Sequence, residues 1–377
     1  MKRGGDRYKY KPIYRIEHQK KVFLNDTYEN VINLLDKIQL QIKIPINIYF
    51  IYDDDNDPTY PNNALSHGTS VGGCISATTN NNTGVGIDVF AALTTGDENT
   101  VVGFATGEDL TTGSANTFVG AYAGRNTIGV NSNTGIGRSA LVTNTTGATN
   151  TAVGADALAS NTTADNNTAV GYQSMNENTT GANNVALGSL SLDANTTGDR
   201  NTALGKGALG VNTTADNNTA VGASSLDANT TGATNTAVGA NSLSSNTTAS
   251  NNTAVGYFAL VANTTGTENT AVGKDALKAN TTANGVTAVG EGALTANTTG
   301  ASNTAVGEGA LTSNTTAANN TAVGNAALNA NTTGSNNTAQ GYNTLNANTT
   351  GSSNTAQGDN ALGSNTTGSN NTAQGYN

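Results

Sequence analysis

The sequence predicts an all-β fold: a parallel β-solenoid or β-roll of seventeen-residue repeats, preceded by a small α+β region. Three observations carry this prediction. From Asn82 the chain repeats every seventeen residues without insertion or deletion, giving seventeen whole units and the first seven residues of an eighteenth. A fixed short period is the mark of a stacked array. Position five of the unit is Gly in all eighteen occurrences, from Gly86 through Gly154, Gly171, Gly188 and Gly290 to Gly375. From Asn144 onward, positions twelve to fourteen read Asn-Thr-Thr in fourteen consecutive units.

Before the array, residues 1 to 67 read as an N-terminal anchoring or capping region. Residues 1 to 43 hold ten Lys or Arg against five acids, and Tyr8, Tyr10 and Tyr14 sit among them. A docking arm and a solvated terminus are both compatible with that composition. Asp26 or Thr27 can cap a helix in which Val31, Leu34, Leu35 and Ile38 share one face; Pro45 ends it. Ile46 to Tyr52 reads as a buried strand, and Asp53, Asp54, Asp55 and Asp57 as a solvated acidic turn lacking the glycine and distal glutamate of a calcium loop. All four prolines, Pro12, Pro45, Pro58 and Pro61, precede the array. Proline cannot donate to a strand ladder, so its absence afterwards fits a continuous stack.

The segment Ser66-His67-Gly68-Thr69-Ser70-Val71-Gly72-Gly73 is similar to the histidine motif of subtilisin-like proteases. No downstream Gly-Thr-Ser segment follows to supply the nucleophile. Gly68 to Gly72 also aligns with the opening of the repeat unit, so residues 68 to 81 read as a shortened first coil. No catalytic constellation occurs elsewhere, and the protein is expected not to be an enzyme. No cofactor or metal is expected, because the acids of the array wander between positions. The lone Cys74 excludes an intrachain disulfide framework.

Within one unit, position four (Val153, Val255, Val306) and position nine (Leu158, Leu260, Leu311) form an apolar spine, with Ala at position three. Two short strands are expected, over positions one to five and about seven to eleven, separated by a Gly corner and closed by the Asn-Thr-Thr turn. The corner glycines meet either a positive φ or a wall too close for a Cβ. Stacked Asn side chains, as at Asn144, Asn161, Asn263 and Asn348, are expected to form an amide ladder. Four or five apolar side chains per coil bury too little area to offset the ordering of seventeen residues. A partner surface is therefore expected, and the small Ala face suggests a parallel homotrimer.

Asn-Thr-Ala-Val-Gly, and more closely Asn184-Val185-Ala186-Leu187-Gly188, resembles the opening of the head repeats of trimeric autotransporter adhesins, which form left-handed parallel β-rolls. The longer pattern, as at Asn167 to Asn183 and Asn337 to Ser353, is similar to arrays in phage and giant-virus fibre proteins, often followed by a self-cleaving chaperone. The resemblance covers residues 82 to 377. It departs in having seventeen residues per unit where the adhesin heads have fourteen, and in lacking a chaperone segment. It implies that positions two and four point inward. Val185 at position two agrees with that, and so does Phe118, which at position three looks too large for a thin core. Gln340, Gln357 and Gln374 at position four disagree, and read as a polar ladder in a changed core or along an interface.

The function expected from this reading is a structural fibre or spike shaft, anchored to a virion or other surface through residues 1 to 67 and projecting a receptor-binding tip. An ice-binding solenoid or a cell-surface adhesin stalk are the alternatives. The fourteen Asn-Thr-Thr sequons would also suit a glycosylated stalk. The array carries only Arg125, Arg138, Arg200, Lys206, Lys274 and Lys278 in a chain of formal net charge −10, too few cations to track a phosphate backbone, so no nucleic-acid partner is expected. No apolar run is long enough to span a bilayer, and the start has no apolar stretch of a secretory signal. The expected location is a virion surface or outside the cell. The stop at Asn377, seven residues into a unit, leaves a sheet edge expected to be covered by further chain or another subunit.

Overall fold

The computed structural model describes residues 81–376. The expected N-terminal helix and strand, the basic arm, the acidic turn, the His67 segment, Cys74 and all but the last residue of the shortened coil over 68 to 81 lie outside the described residues.

Residues 81–376 form a β-solenoid in which each seventeen-residue unit is one coil. Eighteen strands, β1 (Thr83–Ile87), β2 (Thr100–Phe104), β3 (Thr117–Val119) and so on to β18 (Thr372–Gln374), occupy positions two to four of their units, with two further residues in β1 and β2. Each strand pairs in parallel with the next in sequence. Position two faces position two and position four faces position four, as in Thr236↔Thr253 and Val238↔Val255 or Thr168↔Val185 and Val170↔Leu187. Identical spacing in every coil makes that register the only one that keeps all like positions stacked. At about 4.8 Å per strand, seventeen steps extend the sheet about 80 Å.

The second expected strand, over positions seven to eleven, does not form. Positions seven and nine both have positive φ, as in Asp156 (57°) and Leu158 (49°) or Asn241 (54°) and Leu243 (52°), and a chain that turns left-handed at alternate residues cannot run extended. Position seventeen is left-handed as well, as at Asn166 (60°) and Asn217 (59°). The coil is thus one short strand followed by a long series of tight turns.

The inward direction also differs from expectation. In a three-residue strand the middle side chain faces one way and its neighbours the other. Here the middle one, position three, faces in: Ala152, Ala169 and Ala237 are fully buried, while position four faces out, with Val306 37% and Leu187 48% exposed. Val153, Val255 and Val306 are therefore not part of the core. Leu158, Leu260 and Leu311 are, each fully buried. The core of a typical coil is Ala at position three facing Leu at position nine, with the small residue of position eight, as Ala157 or Ala259, enclosed beside them.

Positions three and nine share one interior space, which explains Phe118. It lies fully buried at position three, and the residue at position nine of its own coil is Gly124. A Cβ on Gly124 would come within 2.6 Å of the Phe118 ring, and one on Gly135, position three of the following coil, within 3.0 Å. The first coil inverts the arrangement: Gly84 at position three faces Phe90 at position nine, its Cβ position 2.9 Å from that ring. In both of these coils a large side chain opposite a small one fills the interior, as close packing requires.

Candidate functional site

Two rows of buried asparagine tie the coils together. At position twelve, each Asn side chain donates from Nδ2 to Oδ1 of the Asn one coil earlier, as in Asn161 to Asn144 at 2.8 Å, Asn263 to Asn246 at 3.0 Å and Asn348 to Asn331 at 2.9 Å. The same Nδ2 reaches the carbonyl of position fifteen in its own turn, as in Asn144 to Gly147 at 2.8 Å. Asn144, Asn161, Asn263 and Asn348 are fully buried. Apart from the half-buried Asn365, the Asn-Thr-Thr sequons are closed in the folded array, because the nitrogen that would carry a glycan is enclosed and engaged.

The second row, at position one, was missed in reading the sequence. Asn occupies it in every unit except at Val286. Its Oδ1 accepts the backbone N–H of the next position one, as Asn218 does from Asn235 at 2.9 Å, and its Nδ2 donates to the carbonyl of position fifteen, as to Gly232 at 2.9 Å. That carbonyl also accepts from the first row, Asn229 at 2.9 Å. One oxygen thus joins both rows wherever a coil has Asn at both positions. The near-invariance of position one was the available signal.

The glycines of position five hold φ between 127° at Gly358 and 147° at Gly103, with Gly154, Gly171, Gly188 and Gly290 at 139° to 142°. A Cβ on Gly188 would sit 2.5 Å from the Gly205 carbonyl oxygen, and one on Gly290 2.5 Å from that of Gly307. Both candidate reasons for glycine therefore apply at once: a backbone angle disfavoured for L-residues and a neighbouring coil too close for a side chain.

The outer face of the sheet is made by positions two and four. Position two is Thr in all eighteen coils except at Val185; position four is Val, Ile or Leu through Val323, then Gln340, Gln357 and Gln374. None of these thirty-six places holds a charged residue. The glutamines lie on this exposed face, not in a changed core, with Gln357 Nε2 donating to Gln340 Oε1 at 3.3 Å and Gln374 to Gln357 at 3.4 Å. Position six forms one margin of the face and carries the exposed Tyr172, Tyr257 and Tyr342, spaced five coils apart. The small Ala face on which trimer contacts were expected is the enclosed position-three rank, so it is not a meeting surface between chains.

Charge is confined to the turns and to position six. Asp193 and Asp227 stand at position ten with Gly210 in the coil between them, whose Cβ position is 3.1 Å from Asp227 Oδ1 and 3.6 Å from Asp193 Oδ1. Burial pushes the carboxyl of Asp193 above its ordinary range, backbone hydrogen bonds pull it down, and Asp227 and Glu177 push it up again. Burial alone raises Asp227. Among the described residues no three His, Cys, Asp or Glu side chains gather to hold a metal ion, and no helix is long and apolar enough to cross a membrane.

Together these features define a repeat protein of the β-solenoid class, held by backbone and asparagine bonds running from coil to coil. Comparison with known protein families finds no matching family model, and comparison with curated proteins finds no significant match.

Proposed function

We propose that the protein is a structural shaft: a fibre or spike element, without catalytic activity, that anchors through residues 1 to 67 and holds a receptor-binding tip away from that anchor, on a virion surface or outside a cell. The observation that carries this reading is the unbroken column itself. Eighteen strands pair in sequence with constant register, and the buried asparagines repeat the same coil-to-coil connection, so added coils add length and little else. The homotrimer expected from the sequence rested on an Ala face that the fold encloses, and it is not part of this reading. Negative-stain images of the full chain test the reading: rods containing a segment of about 80 Å support it, and compact particles would overturn it.

A second reading, ice binding, is favoured by one observation. The strand places its Thr rank outward beside a Val rank, so hydroxyls and methyls recur at about 4.8 Å along the face. Thermal hysteresis in solutions of the purified chain measures it directly.

A further inference from the structure

The outer sheet face stands out from the rest of the surface. Of the thirteen large apolar side chains that the described residues leave exposed, eleven stand at positions two, four or six, among them Phe104, Val185, Leu187 and Val323; the other two, Ile128 and Val211, lie in the turns. The acids and bases of the array lie at positions six, seven, ten, eleven, sixteen and seventeen. An uncharged strip eighteen strands long is thereby bordered by tyrosine and charge, the arrangement of an apolar interface with a polar rim.

We infer that this face docks on a second copy of the chain, face to face and with both copies running in the same direction. The inference rests on the shaft reading only in treating the array as extended. Three properties select a second copy. The strip measures roughly 80 Å by 10 Å, about 800 Å² from each copy, which is the size of a standard stable interface. Its ranks recur once per coil, and only a surface with the same rise keeps every rank in contact along the whole length. Another copy has that rise by construction. It also presents Thr and Val, whose β-branched side chains pack on one another across facing sheets about 10 Å apart.

The glutamines set the direction. A twofold axis along the stack places position four of one copy opposite position two of the other at the same height. Gln340, Gln357 and Gln374 then meet threonine hydroxyls, which satisfy their amides, and the Val rank meets Thr methyls. Reversing one copy would set the three glutamines against the first coils of the other, where position four is Val85, Val102 and Val119, and would bury the amide N–H groups and lone pairs that their own ladder leaves open.

The test is mass and direction in solution. Sedimentation of the full chain is expected to give twice the chain mass. Val238→Lys places a charge in the middle of the strip and is expected to reduce the mass to one chain with unchanged circular dichroism. Thr231→Lys, in an exposed turn, is expected to leave the pair intact, which separates a lost contact from a lost fold. For direction, a spin label on Thr350→Cys in a Cys74→Ser chain should report a separation under about 50 Å for copies running the same way and about 70 Å for reversed ones. An elongated single chain at all concentrations overturns the pairing and leaves the shaft reading standing; a compact particle overturns the shaft reading. A pair that survives Val238→Lys, a label distance near 70 Å, or thermal hysteresis that Val238→Lys abolishes in a single-chain species would each overturn this docking.

Discussion

Replacing Asn218 by Val removes one rung of the position-one row while keeping the side chain nearly the same size. The Asn235 N–H then loses the oxygen it meets at 2.9 Å. The Gly232 carbonyl loses one of two donors but keeps Asn229 at 2.9 Å, and the N–H of residue 218 still finds Asn201 Oδ1 at 3.0 Å. One buried N–H is the net loss, worth about 1–3 kcal/mol. The molecule contains its own precedent at Val286. There the Asn303 amide reaches both Gly300 at 3.0 Å and Ala317 at 2.7 Å, covering the carbonyl that residue 286 cannot serve. The same swing by Asn235 would spare Gly232 and leave its own N–H as the cost. Because array stability is close to a sum over neighbouring coils, amide exchange by mass spectrometry is the suitable assay. Peptides spanning residues 230–240 should exchange about five- to 160-fold faster at equilibrium opening, with remote coils little changed. Unaltered protection around Asn235 in a folded variant would refute the assignment of that N–H to the Asn218 side chain.

Other substitutions probe the same construction. Val286→Asn should complete the row and raise local stability by about 1 kcal/mol, read as slower exchange at Asn303. Gly124→Leu, which installs the residue usual at position nine, should destabilise by several kcal/mol against the Phe118 ring, and Phe118→Ala added to it should recover most of the loss in a denaturation cycle. For Asp193 the raised carboxyl means that the folded chain binds its proton more tightly than the unfolded chain. Its contribution therefore favours folding as pH falls into the window just above the ordinary aspartate range and is lost as pH rises through the folded value. Asp193→Asn should stabilise the array at neutral pH and flatten that part of the pH profile of thermal unfolding.

How far this architecture was legible follows from what the repeat imposes. The period, the glycine corner and the Asn-Thr-Thr turn are nearly constant between coils, so each declares a backbone need. The direction of the strand was misread because hydrophobicity pointed to Val at position four. The space inside a coil is shared with Leu at position nine, and only a small residue fits opposite it. The signal was the exchange of sizes between positions three and nine, Gly84 with Phe90 and Phe118 with Gly124. The second strand was misread for a related reason: position seven is Gly, Asn, Asp or Ser in eleven of the seventeen whole units, residues that suit a left-handed turn better than an extended chain. The outer face emerged only once Ala was placed inside.

The coil-to-coil direction of the bonds has a mechanical consequence. Tension applied at the two ends of the array pulls along the hydrogen bonds, such as Thr151 N–H to the Asn167 carbonyl at 2.8 Å and Gly154 N–H to the Ile136 carbonyl at 2.7 Å, and loads the coils in series. Rupture then releases them one after another from a weak point. Each coil freed adds up to about 60 Å of extended chain for about 5 Å of stack lost, so the array lengthens some twelvefold as it yields. Under a sudden load such a column dissipates work by paying out chain while its remaining coils stay intact.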